Sequence, residues 1–249
     1  MNTDELQWHS TIPGELINSN EAHVWRVFLD VSTDEFENLL KFLSVDELAR
    51  AGRFHFERDK RRFIAARGML RRILGHYLGE NPNDIRFEYT SYGKPSLVTD
   101  SGNDNLCFNL SHSGAFALYA ITRIKKIGID IERIRDDVKI EEIAHKFFSQ
   151  GEISLLGKIN KNKRTELFFQ YWTRKEAILK ARGEGISFPM EQCDVSSISG
   201  SGLSSVTLKE NNIENQYWYV QDIFPGNDYA AAIAIEGGDW DLSCWDYAV

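Results

Sequence analysis

The chain of 249 residues carries 29 Lys and Arg against 37 Asp and Glu, a net charge of −8, with 42% apolar and 27% charged residues. These are the values of a soluble globular protein with room for a large core and one or two domains, and they weigh against general nucleic-acid binding. Three cysteines at scattered positions (Cys107, Cys193, Cys244) form neither a disulfide framework nor a metal-ligand cluster, the N-terminus lacks a basic-then-apolar signal, and no apolar run is long enough to span a bilayer. The expectation is a cytoplasmic protein with no membrane and no nucleic-acid partner.

Residues 1–22 show no periodicity and read as a lead-in. Val24 to Val31 alternates as a strand does, and Thr33 to Leu43 has helical spacing behind Ser32 or Thr33 as N-cap. Ser44-Val45-Asp46-Glu47 fits a capping box opening a short helix. A longer helix, Asp59 to Leu78, ends at Gly79 and Pro82. Ile85 to Tyr89 reads as a strand, Tyr92-Gly93-Lys94-Pro95 as a turn, and Leu106 to Leu110 and Ala115 to Ile121 as strands joined through Ser111-His112-Ser113-Gly114. Ile127 to Glu132 is a further strand. Ile140 to Phe148 is a helix, Ser149-Gln150-Gly151-Glu152 a second capping box, and Thr165 to Arg182 a long helix stopped at Gly183, with Gly185 beyond. Val195, Ser205 to Leu208, Tyr217 to Ile223 and Tyr229 to Ile235 read as strands, with Gly200, Gly202, the Asn211-Asn212 pair and Pro225-Gly226 as turn markers.

Two stretches carry chemistry. On the Ile127 strand the isoleucines share one face and Gly128, Asp130 and Glu132 the other, so two carboxylates stand roughly 6.6 Å apart along one face, a spacing that suits one hard cation such as Mg²⁺. On the later helix Glu176 and Lys180 share a face, with Trp172 one turn earlier. Taken singly, an Asp-x-Glu is more often a solvated strand face, and a Glu–Lys pair four apart a surface pair worth about 0.2–0.5 kcal/mol. The charge is also uneven: residues 50–72 hold nine Arg and Lys against Glu57 and Asp59, which suits either a basic helix face paired with acids elsewhere or a patch for a phosphorylated ligand. An internal repeat at an offset of about 105 residues aligns Phe42 to Leu48 with Phe147 to Ile153, and the order of elements supports it. The reading is an α+β fold of two similar halves in a pseudo-twofold arrangement, each a small, mainly antiparallel sheet with helices, meeting at a cleft. The halves are residues 1–125, with the basic side, and 126–249, with the carboxylates.

Three motifs in fixed order, Phe108-Asn109-Leu110-Ser111-His112-Ser113-Gly114, Ile127 to Glu132, and Phe169 to Glu176 with Lys180, together resemble the 4′-phosphopantetheinyl transferases of the Sfp type. The Tyr92-Gly93-Lys94-Pro95 turn and the arginine-rich helix are similar too, and the resemblance covers roughly residues 24 to 190. It implies a pseudo-twofold monomer that uses Mg²⁺ or Mn²⁺ and moves the 4′-phosphopantetheine arm of coenzyme A onto a serine of an apo acyl or peptidyl carrier protein, releasing 3′,5′-ADP. It implies Asp130, Glu132 and Glu176 as metal ligands and, with Lys180, as the catalytic set. It also implies Arg50, Arg62, Lys94, Ser111, His112 and Lys175 as contacts to coenzyme A. Two alternatives are a coenzyme A- or nucleotide-binding protein without transferase activity and a basic-helix nucleic-acid module. The net charge and the absence of a readout motif weigh against the second.

Overall fold

The computed structural model describes residues 7–10, 17–98, 106–123, 126–183, 188–198, 204–210, 213–238 and 240–247. In chain order these form β1 (Trp8–His9), β2 (Glu21–Phe28), α1 (Thr33–Leu40), α2 (Val45–Ala51), α3 (Glu57–Leu78), β3 (Phe87–Tyr89), β4 (Pro95–Leu97), β5 (Cys107–Ser113), β6 (Phe116–Thr122) and β7 (Ile127–Arg133). Then follow α4 (Ile140–Phe147), α5 (Gln150–Lys158), α6 (Lys161–Arg182), β8 (Ser204–Glu210), β9 (Ile213–Ile223), β10 (Tyr229–Glu236) and β11 (Asp241–Tyr247). One sheet runs β1-β11-β2-β6-β5, a second runs β7-β10-β9-β8, and β3 and β4 form a hairpin. The fold is α+β with two similar halves: β2-β6-β5 and β7-β10-β9 are the same antiparallel ladder repeated.

The halves repeat in their chemistry as well as their topology. Each capping-box glutamate closes the turn before a short helix: Glu47 accepts from the Ser44 N–H at 3.0 Å, and Glu152 from the Ser149 N–H at 2.8 Å. Both carboxylates are buried, and each receives a cation from the 22-residue helix that follows. Arg67 and Arg71 of α3 reach Glu47 at 2.6 and 2.7 Å, and Lys175 of α6 reaches Glu152 at 2.9 Å. A buried carboxylate needs such a partner, because leaving one charge unpaired there costs about 3–5 kcal/mol. Both long helices stop at a glycine with left-handed backbone, Gly79 at φ 68° and Gly183 at φ 74°.

The two sheets pack on one another through an apolar layer that includes Val24, Leu118, Ile129, Ile131 and Ile233, while α3 and α6 cover the outer cores around Met69 and Leu70 and around Ile178 and Trp218. The isoleucines of β7 therefore face the inter-sheet layer, as their alternation requires, and Gly128, Asp130 and Glu132 face α6. A Cβ at Gly128 would lie 2.0 Å from the Ala177 carbonyl oxygen and 2.3 Å from the Ala181 nitrogen, so only glycine lets the strand and α6 approach this closely.

Several expectations shift. Ser111, His112 and Ser113 lie within β5 rather than in a joining loop, and the turn falls at Gly114, φ 60°. Val195 is not a strand residue; its N–H is used at 2.8 Å by the buried Glu152. The helix expected from Thr165 starts at Lys161, behind an Asn160 side chain that accepts from the Lys163 N–H. The strand β11, which sequence periodicity did not mark, lies parallel to β2 in the first half's sheet. Gly185, Gly200, Gly202 and the Asn211-Asn212 pair lie outside the described residues, as do residues 1–6 and 11–16 of the lead-in and residues 124–125 between the halves.

Candidate active site

The site begins where the two sheets meet edge to edge. β7 pairs with β10 on one side only, which leaves backbone N–H groups on its other edge needing acceptors. Side chains of β5 at alternate positions supply them: the Ile129 N–H donates to Asn109 Oδ1 at 2.9 Å and the Arg133 N–H to Ser113 Oγ at 3.0 Å. The same strand serves the carboxylates, Ser111 Oγ donating to Asp130 Oδ1 and Ser113 Oγ to Glu132 Oε2, both at 2.9 Å. Asn109 and Ser113 belong to the Phe108–Gly114 motif but were given no role from sequence, although the period-two spacing Asn109-x-Ser111-x-Ser113 was the available signal.

From α6, Lys180 donates to Asp130 Oδ1 at 2.6 Å and to Ser111 Oγ at 2.8 Å. Glu176, one turn back, lines the same cleft, whose volume is about 710 Å³. Asp130, Glu132, Ser111, Lys180 and Trp172 also line it, as do Arg50, His112, Tyr92 and Lys94. One face of α6 thus carries Trp172, Glu176, Lys180 and Gly183 to the cleft at helical spacing.

Electrostatics mark this as an unbalanced cluster. Burial, then the charges of Asp130 and Glu132, push the Glu176 carboxyl up to about 7, with Lys180 opposing. Burial likewise raises Asp130 above the ordinary carboxylate range, against the pull of Lys180, and burial and then the Asp130 charge raise Glu132. Asp130 Oδ2 is buried and finds no hydrogen-bond partner among the described residues. His112 lines the cleft with its side chain open to solvent, and partial desolvation, then the nearby charges of Lys180 and Arg50, hold its imidazole below the usual histidine value.

Not every basic residue singled out reaches the cleft. Arg62 is bonded through two nitrogens to Asp30 at 2.7 and 2.6 Å and does not line it. Lys175 points into the second half's core, bonded to Glu152 and the Met190 carbonyl, because the repeat needs a cation there. Arg174 is likewise spent on Asp222, at 2.8 and 2.6 Å. The Lys94 ammonium lies at the cleft but is directed at backbone carbonyls. Among the described residues, no three His, Cys, Asp or Glu side chains are gathered into a ready-made cation cage. In their place the Lys180 ammonium sits on Asp130.

Glu176 makes stability pH-dependent. Its folded value, about 7, exceeds its ordinary 4.5, so between these values the folded protein binds more protons than the unfolded chain. The contribution is full below the unfolded value and is lost as pH rises through about 7. Thermal unfolding in chelator from pH 5 to 8 should show wild type losing stability relative to Glu176→Gln, by on the order of 2 kcal/mol after allowing for solvent at the partly exposed carboxyl. Parallel curves for the two proteins would assign the shift to another group.

A family model described as 4′-phosphopantetheinyl transferase superfamily matches residues 126–234, and one described as 4′-phosphopantetheinyl transferase, N-terminal, matches residues 30–123. The 4′-phosphopantetheinyl transferase HetI of Nostoc sp. is 38% identical over 240 residues, 96% of this chain and 98% of that protein. The chain belongs to the 4′-phosphopantetheinyl transferases of the Sfp type. Sfp of Bacillus subtilis is 29% identical over 90% of this chain and 97% of its own length. More distant is a mouse L-aminoadipate-semialdehyde dehydrogenase-phosphopantetheinyl transferase, 29% identical over 80% of this chain and 69% of that protein. The boundary between the two family models falls between β6 and β7: the first-named spans β7, β9 and nearly all of β10, and the N-terminal one spans β5 and β6 but begins after β2. No helix among the described residues is long and apolar enough to cross a membrane.

Proposed function

We propose that this phosphopantetheinyl transferase takes the 4′-phosphopantetheine moiety from coenzyme A and places it on a serine of an apo acyl or peptidyl carrier protein. The carrier Ser Oγ forms a bond to the β-phosphorus, the bond from that phosphorus to the bridging oxygen breaks, 3′,5′-ADP leaves, and the serine proton passes to solvent through a base. The observation that supports this reading most is the Lys180–Asp130–Ser111 contact beside Glu132 and Glu176, in a cleft also lined by Arg50 and His112.

Asp130, Glu132 and Glu176 would hold the divalent cation. The unpartnered Asp130 Oδ2 and three carboxyls all pushed up by burial, with Asp130 also raising Glu132 and Glu176, fit a positive ion, and Mg²⁺ needs only one or two protein carboxylates. When bound, Mg²⁺ or Mn²⁺ supplies neutralisation of the pyrophosphate oxygens. Lys180, held at the mouth of this cluster, stabilises the charge that builds on the departing phosphate. Glu176, poised near neutral pH, takes the serine proton directly or through a water it orients. Arg50 and His112 bind the nucleotide-side phosphate, and Ser111 holds Asp130 and Lys180 in register. The first half, residues 1–125 joined in its sheet by β11 from the 126–249 stretch, would supply phosphate recognition, and the rest of 126–249 the metal and proton chemistry.

The test is incubation with coenzyme A, Mg²⁺ and a panel of apo carrier proteins, read by intact-protein mass, with parallel arms in chelator and with dephospho-coenzyme A. The expected result is addition of one phosphopantetheinyl group in the first arm, none in chelator, and slower addition with dephospho-coenzyme A. Coenzyme A binding without transfer to any carrier would restore the binding-protein reading.

A further inference from the structure

We propose that Lys94 is a positioning residue for transfer: from the β3–β4 hairpin it clamps the last turn of α6 to the start of β7 and so fixes where Lys180 stands. This deepens the function proposed above, resting on its assignment of Lys180. The Lys94 Nζ donates to the carbonyl oxygens of Lys180 at 2.5 Å, Ala181 at 3.2 Å and Ile127 at 3.3 Å. An α-helix ends with carbonyls that have no intrahelical partner. At the end of α6 the Gly183 N–H takes the Leu179 carbonyl, at 3.0 Å, and Lys94 takes the next two. Gly183 also makes room for the clamp, since a Cβ there would lie 3.6 Å from Lys94 Cδ, so the lysine stem runs directly over the helix cap.

The placement ties three elements together. The hairpin comes from the first half, whereas α6 and β7 bear the carboxylates and Lys180. One peptide carbonyl separates Lys94 from the residue whose side chain sits on Asp130 and Ser111. A cation at the carbonyl end of a helix is favoured by the helix dipole, which adds to the hydrogen bonds. With three acceptors, the ammonium has used its full donor capacity, so it is not available to a ligand phosphate. Burial pushes the group down to about 8, consistent with an enclosed clamp rather than a solvated cation.

The experiment compares Lys94→Met, Lys94→Arg and wild type in two readouts. Steady-state transfer gives kcat and KM for coenzyme A, and hydrogen exchange of amides in residues 176–183, without coenzyme A or metal, reads the end of α6 independently of activity. Misplacing Lys180 should lower kcat about tenfold or more in Lys94→Met while KM stays within about twofold. Exchange near the end of α6 should accelerate, and Lys94→Arg should recover much of both. A raised KM with wild-type kcat would make Lys94 a coenzyme A contact and overturn the inference, as would wild-type exchange in Lys94→Met. Should Lys94→Met fail to fold, Lys94→Gln, which keeps a neutral donor, carries the same two readouts. Absence of transfer by wild type sinks the proposed function, whereas a change in exchange without a change in kcat sinks only this inference.

Discussion

Alanine at Asp130 should abolish transfer, with turnover falling on the order of 10³-fold or more. Asp130 is 3% exposed, and its Oδ1 holds both Ser111 and Lys180. Its loss leaves the Lys180 ammonium on a hydroxyl alone and removes the most buried carboxylate of the proposed cation site. Asp130→Asn keeps the shape and a hydrogen-bonding oxygen while removing the charge, so it separates electrostatics from packing, and it too should be inactive. Single-turnover transfer at saturating coenzyme A and Mg²⁺ is the measurement, with far-UV circular dichroism to confirm the fold. An Asn variant within tenfold of wild type would exclude the carboxylate charge from the chemistry.

Lys180→Met should lower kcat on the order of 10²-fold while changing coenzyme A affinity much less. The charge this residue meets develops as 3′,5′-ADP departs, so its contribution belongs mainly to the transition state. Methionine keeps the length and apolar stem of the side chain, which limits the effect on α6. Because Lys180 and Asp130 are in direct contact, the double variant should be far less impaired than the product of the single effects. A wild-type kcat with a raised KM would instead make Lys180 a ground-state binding residue.

What could be read from sequence was whatever is written locally. The capping boxes at Ser44 and Ser149, the glycine stops at Gly79 and Gly183 and the alternation through Ile127, Ile129 and Ile131 each depend on neighbours within a few residues. Strand and helix periods likewise place Asp130 with Glu132 and Glu176 with Lys180, but only the family resemblance joined the two pairs into one acidic cluster. The destination of each cation was not. Arg62, Lys175 and Arg174 sit among other basic residues of α3 and α6, and only distant acids decide which are spent on structure: Asp30, Glu152 and Asp222. The repeat held the missing clue for Lys175, since the box glutamate of the first half has its own cation on the following helix. The strand β11 escaped notice because Asp241-Leu242-Ser243-Cys244-Trp245-Asp246-Tyr247 mixes polar and aromatic residues without clean alternation, and its partner β2 lies at the opposite end of the chain.

That pairing imposes an order on biosynthesis. Until residues 241–247 leave the ribosome, the edge of β2 that they cover has no strand partner there, although α1, α3 and the β5–β6 hairpin are already available. At a translation rate of roughly 5–20 residues per second, the stretch from Thr122 to Asp241 takes on the order of six to twenty-five seconds. Through that time the nascent first half carries an open strand edge, the feature by which one chain templates pairing with another. The strand that completes the first half's sheet is therefore delivered only after the second half's sheet has been made.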